Sequence, residues 1–327
     1  MLVCDFAIWL GGFSVGFVNF GGVIWMFFHV YCVIQWLKMD MKDRRSVAER
    51  VANGLMRCVE SLVSVVKLLS RSRGCDWVCG GGGRGRCGGE LVVLGNGPSL
   101  RGLLDGGRGG LRGRDLLAVN FAGRTVEFFD LRPGLYVLAD PVFFGDTCDG
   151  NVLGLREALG RVDWDMRLFV PWGVDASAYE GNGCVRVERF NFLAVEGWGW
   201  LERWAWGSGR GMPRPRNVLI PSLMIGLWLG YDVVYVAGAD HSWMRTLEVD
   251  EGNRVVSVQP HFYADNEEEG RRVAEVYSGV RLHEVVYSFY LAFKGYHAIR
   301  RLADRMGIRV VNVTAGSFID AFERGRL

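Results

Sequence analysis

Six short runs of Val and Leu, separated by helical stretches, constrain this chain of 327 residues more than any other feature. They are LVVL (91–94), LLAV (116–119), LYVLAD (135–140), MRLFVPW (166–172), VVYVAGAD (233–240) and IRVVNVT (308–314). Short continuous runs of this kind suit parallel strands buried on both faces. Stretches at 151–162, 217–230 and 282–306 supply crossover helices. The alternation predicts an α/β fold, a Rossmann-like, doubly wound, mostly parallel sheet over residues 90–327. Half of the residues are hydrophobic, which is enough for a sizeable core and excludes a disordered polymer.

Two other segments precede that domain. Residues 6–37 hold no Asp, Glu, Lys or Arg over 32 positions, where about 20 suffice to cross a bilayer as a helix. Trp25, Tyr31 and Trp36 gather toward one end, and Lys38, Lys42, Arg44 and Arg45 follow at once. The run is too long for a signal-peptide core, and no small-residue cleavage site follows it. Residues 1–38 therefore read as a hydrophobic membrane anchor with the remainder on the cytoplasmic side. Gly21-Gly22 also permits a kinked or re-entrant hairpin. A true start at Met39 or Met41 gives the alternative, a soluble cytoplasmic chain.

Residues 39–89 carry ten basic side chains against five acidic ones, while the whole chain has a net charge of only +2. So small a surplus makes no electrostatic case for nucleic acid. Val47, Val51, Leu55, Val59, Leu62, Val63, Val66 and Leu69 recur at helical spacing, with Arg50, Arg57, Lys67 and Arg71 among them. That pattern predicts an amphipathic helix over 46–71, lying on anionic lipid or packed on its own domain. GCDWVCGGGGRGRCGG (74–89) reads as a flexible linker. Its Cys75, Cys79 and Cys87 lack the second pair and the nearby His of a zinc site. The eight cysteines are scattered and read as free thiols.

Doubly wound sheets bind ligands beyond the carboxyl ends of their strands. The residues there are Gly95-Asn96-Gly97-Pro98-Ser99-Leu100 after the first strand, Asn120 after the second, Asp140 after the third, and Gly238, Asp240 and His241 after the fifth. Gly95 and Gly97 permit a tight turn and close ligand approach. Pro98 suits the first turn of a helix, and N–H groups at a helix start suit a phosphate. The turn is neither GxGxxG nor a P-loop. A plain strand-to-helix turn is the alternative.

A leading strand into GNGPSL, then a strand ending in Asn120, resembles the bacterial sialyltransferases that use CMP-sialic acid. IPSLMIGLWLGYDVVYVAGAD (220–240) is similar to that family's helix, Leu-Gly-Tyr, strand and Gly-x-Asp, and LADRMGIRVVNVTAGSFIDAF (302–322) to its closing elements. The same glycine turn and Gly-x-Asp occur in motility accessory factor glycosyltransferases and 6-hydroxymethylpterin pyrophosphokinase-like proteins. The resemblance implies glycosyl transfer from a nucleotide-sugar donor, CMP-linked, to a surface-glycan or lipid-linked acceptor, without a metal. It implies nucleotide contacts from Asn96, Gly97, Ser99, Asn120, Ser222 and Asp240. Two positions depart from the family pattern. Asp140 stands where an Asn is usual, and His241-Ser242-Trp243 where a phosphate-binding Tyr is.

The family is expected to use a His as general base, a task that a near-neutral imidazole suits. His29 falls in the uncharged run and His297 inside a helix. His261, in QPHFYADN, or His283, in RLHE, is the expected catalytic residue, with His241 beside the donor phosphate. EGWGWLERWAW (196–206) reads as an acceptor lid, a segment dipping into a membrane surface, or a packed core hairpin. The Arg pair of MPRPR (212–216) could meet an anionic donor or a lipid headgroup. Two rivals remain. One is a pyrophosphokinase or other nucleotide-phosphate enzyme with Asp140 and Asp240 holding Mg²⁺. The other is a membrane-tethered, non-catalytic scaffold for glycan assembly.

Overall fold

The computed structural model describes residues 41–78, 87–257 and 279–327. The expected membrane anchor lies outside the described residues, as do His261 and the heart of the glycine-rich segment. Among the described residues no helix is long and apolar enough to cross a membrane. The chain divides into two compact units, residues 1–59 and 60–327. The boundary falls inside helix α1 (Met41–Arg71), which contains the amphipathic stretch expected from sequence.

The second unit is built on eight parallel strands: β1 (Glu90–Leu94), β2 (Asp115–Val119), β3 (Leu135–Val137), β4 (Met166–Pro171), β5 (Val185–Phe190), β6 (Val233–Ala237), β9 (Arg309–Asn312) and β10 (Glu323–Arg324). Their order is β10-β9-β6-β1-β2-β3-β4-β5. A small antiparallel pair, β7 (Leu247–Val249) and β8 (Val255–Ser257), stands apart. The chain winds outward from β1 to β5, then returns to the other side of β1 with β6. The order therefore reverses between β1 and β6, and a crevice must open there beyond their carboxyl ends.

The apolar runs are explained by burial on both faces. Leu91, Val93, Leu117, Val119, Leu135 and Val137 pack with helices α5 (Gly199–Gly207), α6 (Leu219–Leu229) and α7 (Leu282–Met306). Their alternate neighbours Ala118, Tyr136 and Leu138 pack with α4 (Gly150–Gly160) on the opposite face. Val92 and Leu94 pack there with the short helix α2 (Ser99–Asp105). Helix α3 (Val126–Leu131) is capped by Thr125, whose hydroxyl accepts from the Phe128 N–H.

The expected linker is partly core. Trp77 is buried against Phe169 and Trp228, at ring-centroid distances of 5.0 and 6.0 Å, and its indole N–H donates to the Arg189 carbonyl. Asn191 also binds both backbone groups of Arg73. The sheet domain thus recruits the segment before β1, and its compact unit starts at Glu60 rather than at 90. Residues 196–206 form no hairpin; helix α5 occupies most of the segment.

Candidate functional site

The crevice at the β1–β6 reversal is a cavity of about 240 Å³. It is lined by Gly95, Asn96, Gly97 and Pro98 from the β1 exit, by Asn120 from the β2 exit, and by Gly238, Asp240 and His241 from the β6 exit. Eight positions singled out in the sequence thus meet in one place. Trp243, from the stretch that stands in place of the family's phosphate-binding Tyr, also lines it, as do Asn217, Arg245 and Thr246, which were not foreseen.

The glycine turn closes on protein rather than on open space. Gly97 donates to the Gly238 carbonyl at 2.8 Å and Gly95 to the Ala237 carbonyl at 2.7 Å. A Cβ on Gly95 would stand 2.5 Å from the Gly238 oxygen, and one on Gly97 would stand 2.7 Å from it and against the Asp240 carboxylate. Gly238 itself has φ +65°, where a side chain is strained. The glycines are therefore required for the two strand exits to touch. Asp240 accepts from the Ser99 hydroxyl at 2.8 Å and from the Ser99 N–H at 3.3 Å. That carboxylate takes the start of α2, which the sequence had suggested for a phosphate. Pro98 has no N–H to offer.

Among the described residues, three asparagines that line the cavity each keep one buried side-chain atom without a hydrogen-bond partner. Asn96 spans to β2 through Nδ2, which donates to the Val119 carbonyl at 3.2 Å, and its Oδ1 is buried without a partner. Asn120 sits at φ +51°, a left-handed conformation that Asn tolerates better than most residues, and its Oδ1 is likewise buried and unpartnered. Asn217 accepts at Oδ1 from the Leu219 N–H and from the Tyr296 hydroxyl, at 3.0 and 3.1 Å, while its Nδ2 has no partner. An unmet buried polar atom costs about 1–3 kcal/mol, so three converging on one cavity point to a ligand with complementary polar groups or to water.

His241 has its tautomer assigned by the same contacts. Leu219 N–H can only donate, so the oxygen of Asn217 must face it. The Tyr296 hydroxyl then donates to that oxygen, and burial raises the phenol pKa, so the proton stays in place. Tyr296 O is left to accept from His241 Nδ1 at 2.9 Å. Nδ1 therefore carries the proton and Nε2 the lone pair. The ring lies between Trp243, stacked at 4.2 Å, and Tyr296, at 5.5 Å. Loss of solvent pushes its pKa down to about 3, so it is neutral at physiological pH. The strap carrying it is fastened from below: Ala239 donates to Thr314 Oγ1, Ser317 Oγ donates to the Ala239 carbonyl, and the Phe318 N–H donates to the Asp240 carbonyl. Arg245, a cation on the rim, stacks on Phe318 at 4.8 Å.

Other expected residues lie elsewhere. Asp140 is exposed and caps the short turn after β3 through the Val142 N–H at 3.0 Å. Ser222 is fully buried in α6, where its hydroxyl donates to the Val218 carbonyl. His283 is exposed at the start of α7 and does not line the cavity. His297 pairs with Asp320 at 3.1 Å. Arg214, one of the expected pair, is committed to Glu196. Among the described residues, no group of three or more His, Cys, Asp or Glu side chains is arranged to hold a metal. Cys58, Cys75, Cys87, Cys148 and Cys184 are free thiols.

No protein-family model matches the chain, and no curated protein matches it.

Proposed function

We propose that the protein is a glycosyltransferase that takes its donor, a CMP-linked sugar, in the β1–β6 crevice. The observation that carries this reading is the set of three uncharged amide groups left unmet around one cavity at the sheet's reversal point. Two acceptors and one donor, none of them charged, suit ribose hydroxyls and base edges. Arg245 supplies a positive charge for the phosphate at the rim. The helix start is already neutralised by Asp240, so the phosphate is drawn toward Arg245 instead.

In the transfer step, His241 Nε2 accepts the proton of the acceptor hydroxyl. The hydroxyl oxygen bonds to the anomeric carbon, and the bond from that carbon to the nucleotide phosphate breaks with its electron pair on the leaving phosphate. An anionic donor beside the ring favours the imidazolium and raises the basicity that burial had depressed. This assignment departs from the expected His261 or His283, of which His283 does not line the cavity and His261 lies outside the described residues, and it makes His241 more than a phosphate neighbour.

The test is thermal denaturation of the protein with CMP, UDP, GDP and ATP, each with Mg²⁺ and with EDTA. A nucleotide at a hundred times its Kd adds about 2.7 kcal/mol of stability. CMP is expected to stabilise equally in both conditions. Stabilisation by ATP alone, and only with Mg²⁺, overturns the reading in favour of a phosphate-transfer enzyme. CMP binding without turnover of any CMP-sugar favours the scaffold.

A further inference from the structure

We infer that residues 60–71 of α1 and the segment 198–204 form one face that docks on the surface of an anionic lipid bilayer. The helix turns Ser61, Ser64 and Leu68 into the domain. Its other side leaves Leu62, Val63, Val66 and Leu69 in solvent, Leu69 at 84% exposure. Such a stripe is the reverse of what a helix on a soluble domain presents. Trp198, Trp200 and Trp204 are also exposed, at 42%, 57% and 52%. The segment that carries them is fastened to the same helix, because the Trp198 N–H donates to Ser61 Oγ at 2.8 Å and Gly197 abuts the Ser61 backbone. Trp198 and Trp200 lie 6.0 Å apart, and Arg210 sits over Trp204 at 5.8 Å.

The chemistry of the face selects its occupant. Monomeric proteins seldom leave contiguous apolar area of this kind uncovered. Indoles prefer the headgroup level of a bilayer, where one edge is wet and the ring is not. Lys67, Arg71 and Arg203 belong to the same two segments, with Arg210 just beyond the second, and suit anionic headgroups. Of the two acids there, Glu202 is turned inward onto the Gly197 N–H and Glu60 is half-buried. A second copy would bring like charges together across a two-fold axis, whereas a bilayer supplies the opposite sign. The uncharged run at 6–37, long enough to cross a bilayer, ends upstream of this same helix. The inference is independent of the donor proposed above.

The experiment uses the full chain floated with vesicles of equimolar phosphatidylcholine and phosphatidylglycerol, with and without bromine on the acyl chains. The emission of the protein minus that of the Trp198→Phe/Trp200→Phe/Trp204→Phe variant isolates three indoles among twelve. That difference emission is expected to be quenched by the brominated lipid, and less so in high salt. Leu62→Glu/Val66→Glu/Leu69→Glu changes exposed positions only, so circular dichroism should hold while the quenching is lost. A chain that does not float, or a difference emission untouched by bromine, overturns the inference. The latter result includes the case in which a second copy or residues 6–37 cover the face.

Discussion

Replacing Asn120 with Gly separates a ligand-binding residue from a structural one. The native side chain leaves Oδ1 buried and unmet, at a cost of about 1–3 kcal/mol. Its backbone, at φ +51°, is one that glycine adopts without strain. Against those gains stands about 1 kcal/mol for the freedom glycine adds to the unfolded chain. The balance is a ligand-free protein between unchanged and about 2 kcal/mol more stable. Most substitutions destabilise, so this is an unusual expectation. The Tyr136 hydroxyl still has the backbone carbonyl of residue 120 to donate to. Nucleotide affinity should fall by about tenfold, the worth of one hydrogen bond to a buried partner. Urea denaturation gives the first quantity and calorimetric titration with CMP the second. A loss of more than about 1 kcal/mol in the ligand-free protein would show that the Asn120 amide holds the fold together, and the reasoning from unmet groups would fail.

Four other outcomes follow from the same geometry. His241 titrates near 6.5 when unfolded and about 3 when folded, so the unfolded chain binds the extra proton between those values. Wild-type stability should therefore fall relative to His241→Asn as pH drops from about 6.5 toward 4, measured by urea midpoints; Asn suits the φ of +48°. Gly97→Ala drives a Cβ against the Gly238 carbonyl and the Asp240 carboxylate and should cost about 1–3 kcal/mol in the ligand-free protein. Asp240→Asn keeps an acceptor for Ser99 while removing a negative charge, so CMP affinity measured in EDTA should hold or rise; a loss would indicate a metal-bridged phosphate. His283→Ala should leave turnover within twofold of wild type, since the residue is exposed away from the crevice.

The sheet was legible because six of its strands are buried on both faces and announce themselves as apolar runs. β5 was not: VRVERF lies at the sheet edge, with Arg186 exposed and Arg189 paired with Glu180. β10 is two residues long and pairs only with β9, too little pattern to read. Most of the site was legible because strand exits converge wherever a parallel sheet reverses. Asn217 was missed because it precedes α6 rather than following a strand, and only the fold brings it to Tyr296. Trp77 was missed because the glycines after it suggested a linker, while its burial depends on Phe169 and Trp228, far along the chain. Asp140 shows the opposite error. It follows a strand, but β3 lies two places from the reversal, so its carboxylate caps a local turn instead of facing the crevice.

The pairing of β1 with β6 carries a consequence for synthesis on the ribosome. Glu90 finds its partner in Val233, about 140 residues later. At roughly 5–20 residues per second, β1 must wait on the order of ten seconds for that edge to be covered. During the wait the nascent chain can lay β1 through β5 side by side, yet it offers an apolar strand edge to any neighbour. The crevice has only its Asn96 and Asn120 wall at that stage, because Asp240, His241 and Tyr296 have not emerged. Ligand binding therefore cannot assist the early steps of folding, and a chaperone that shields strand edges would act on this protein before its site exists.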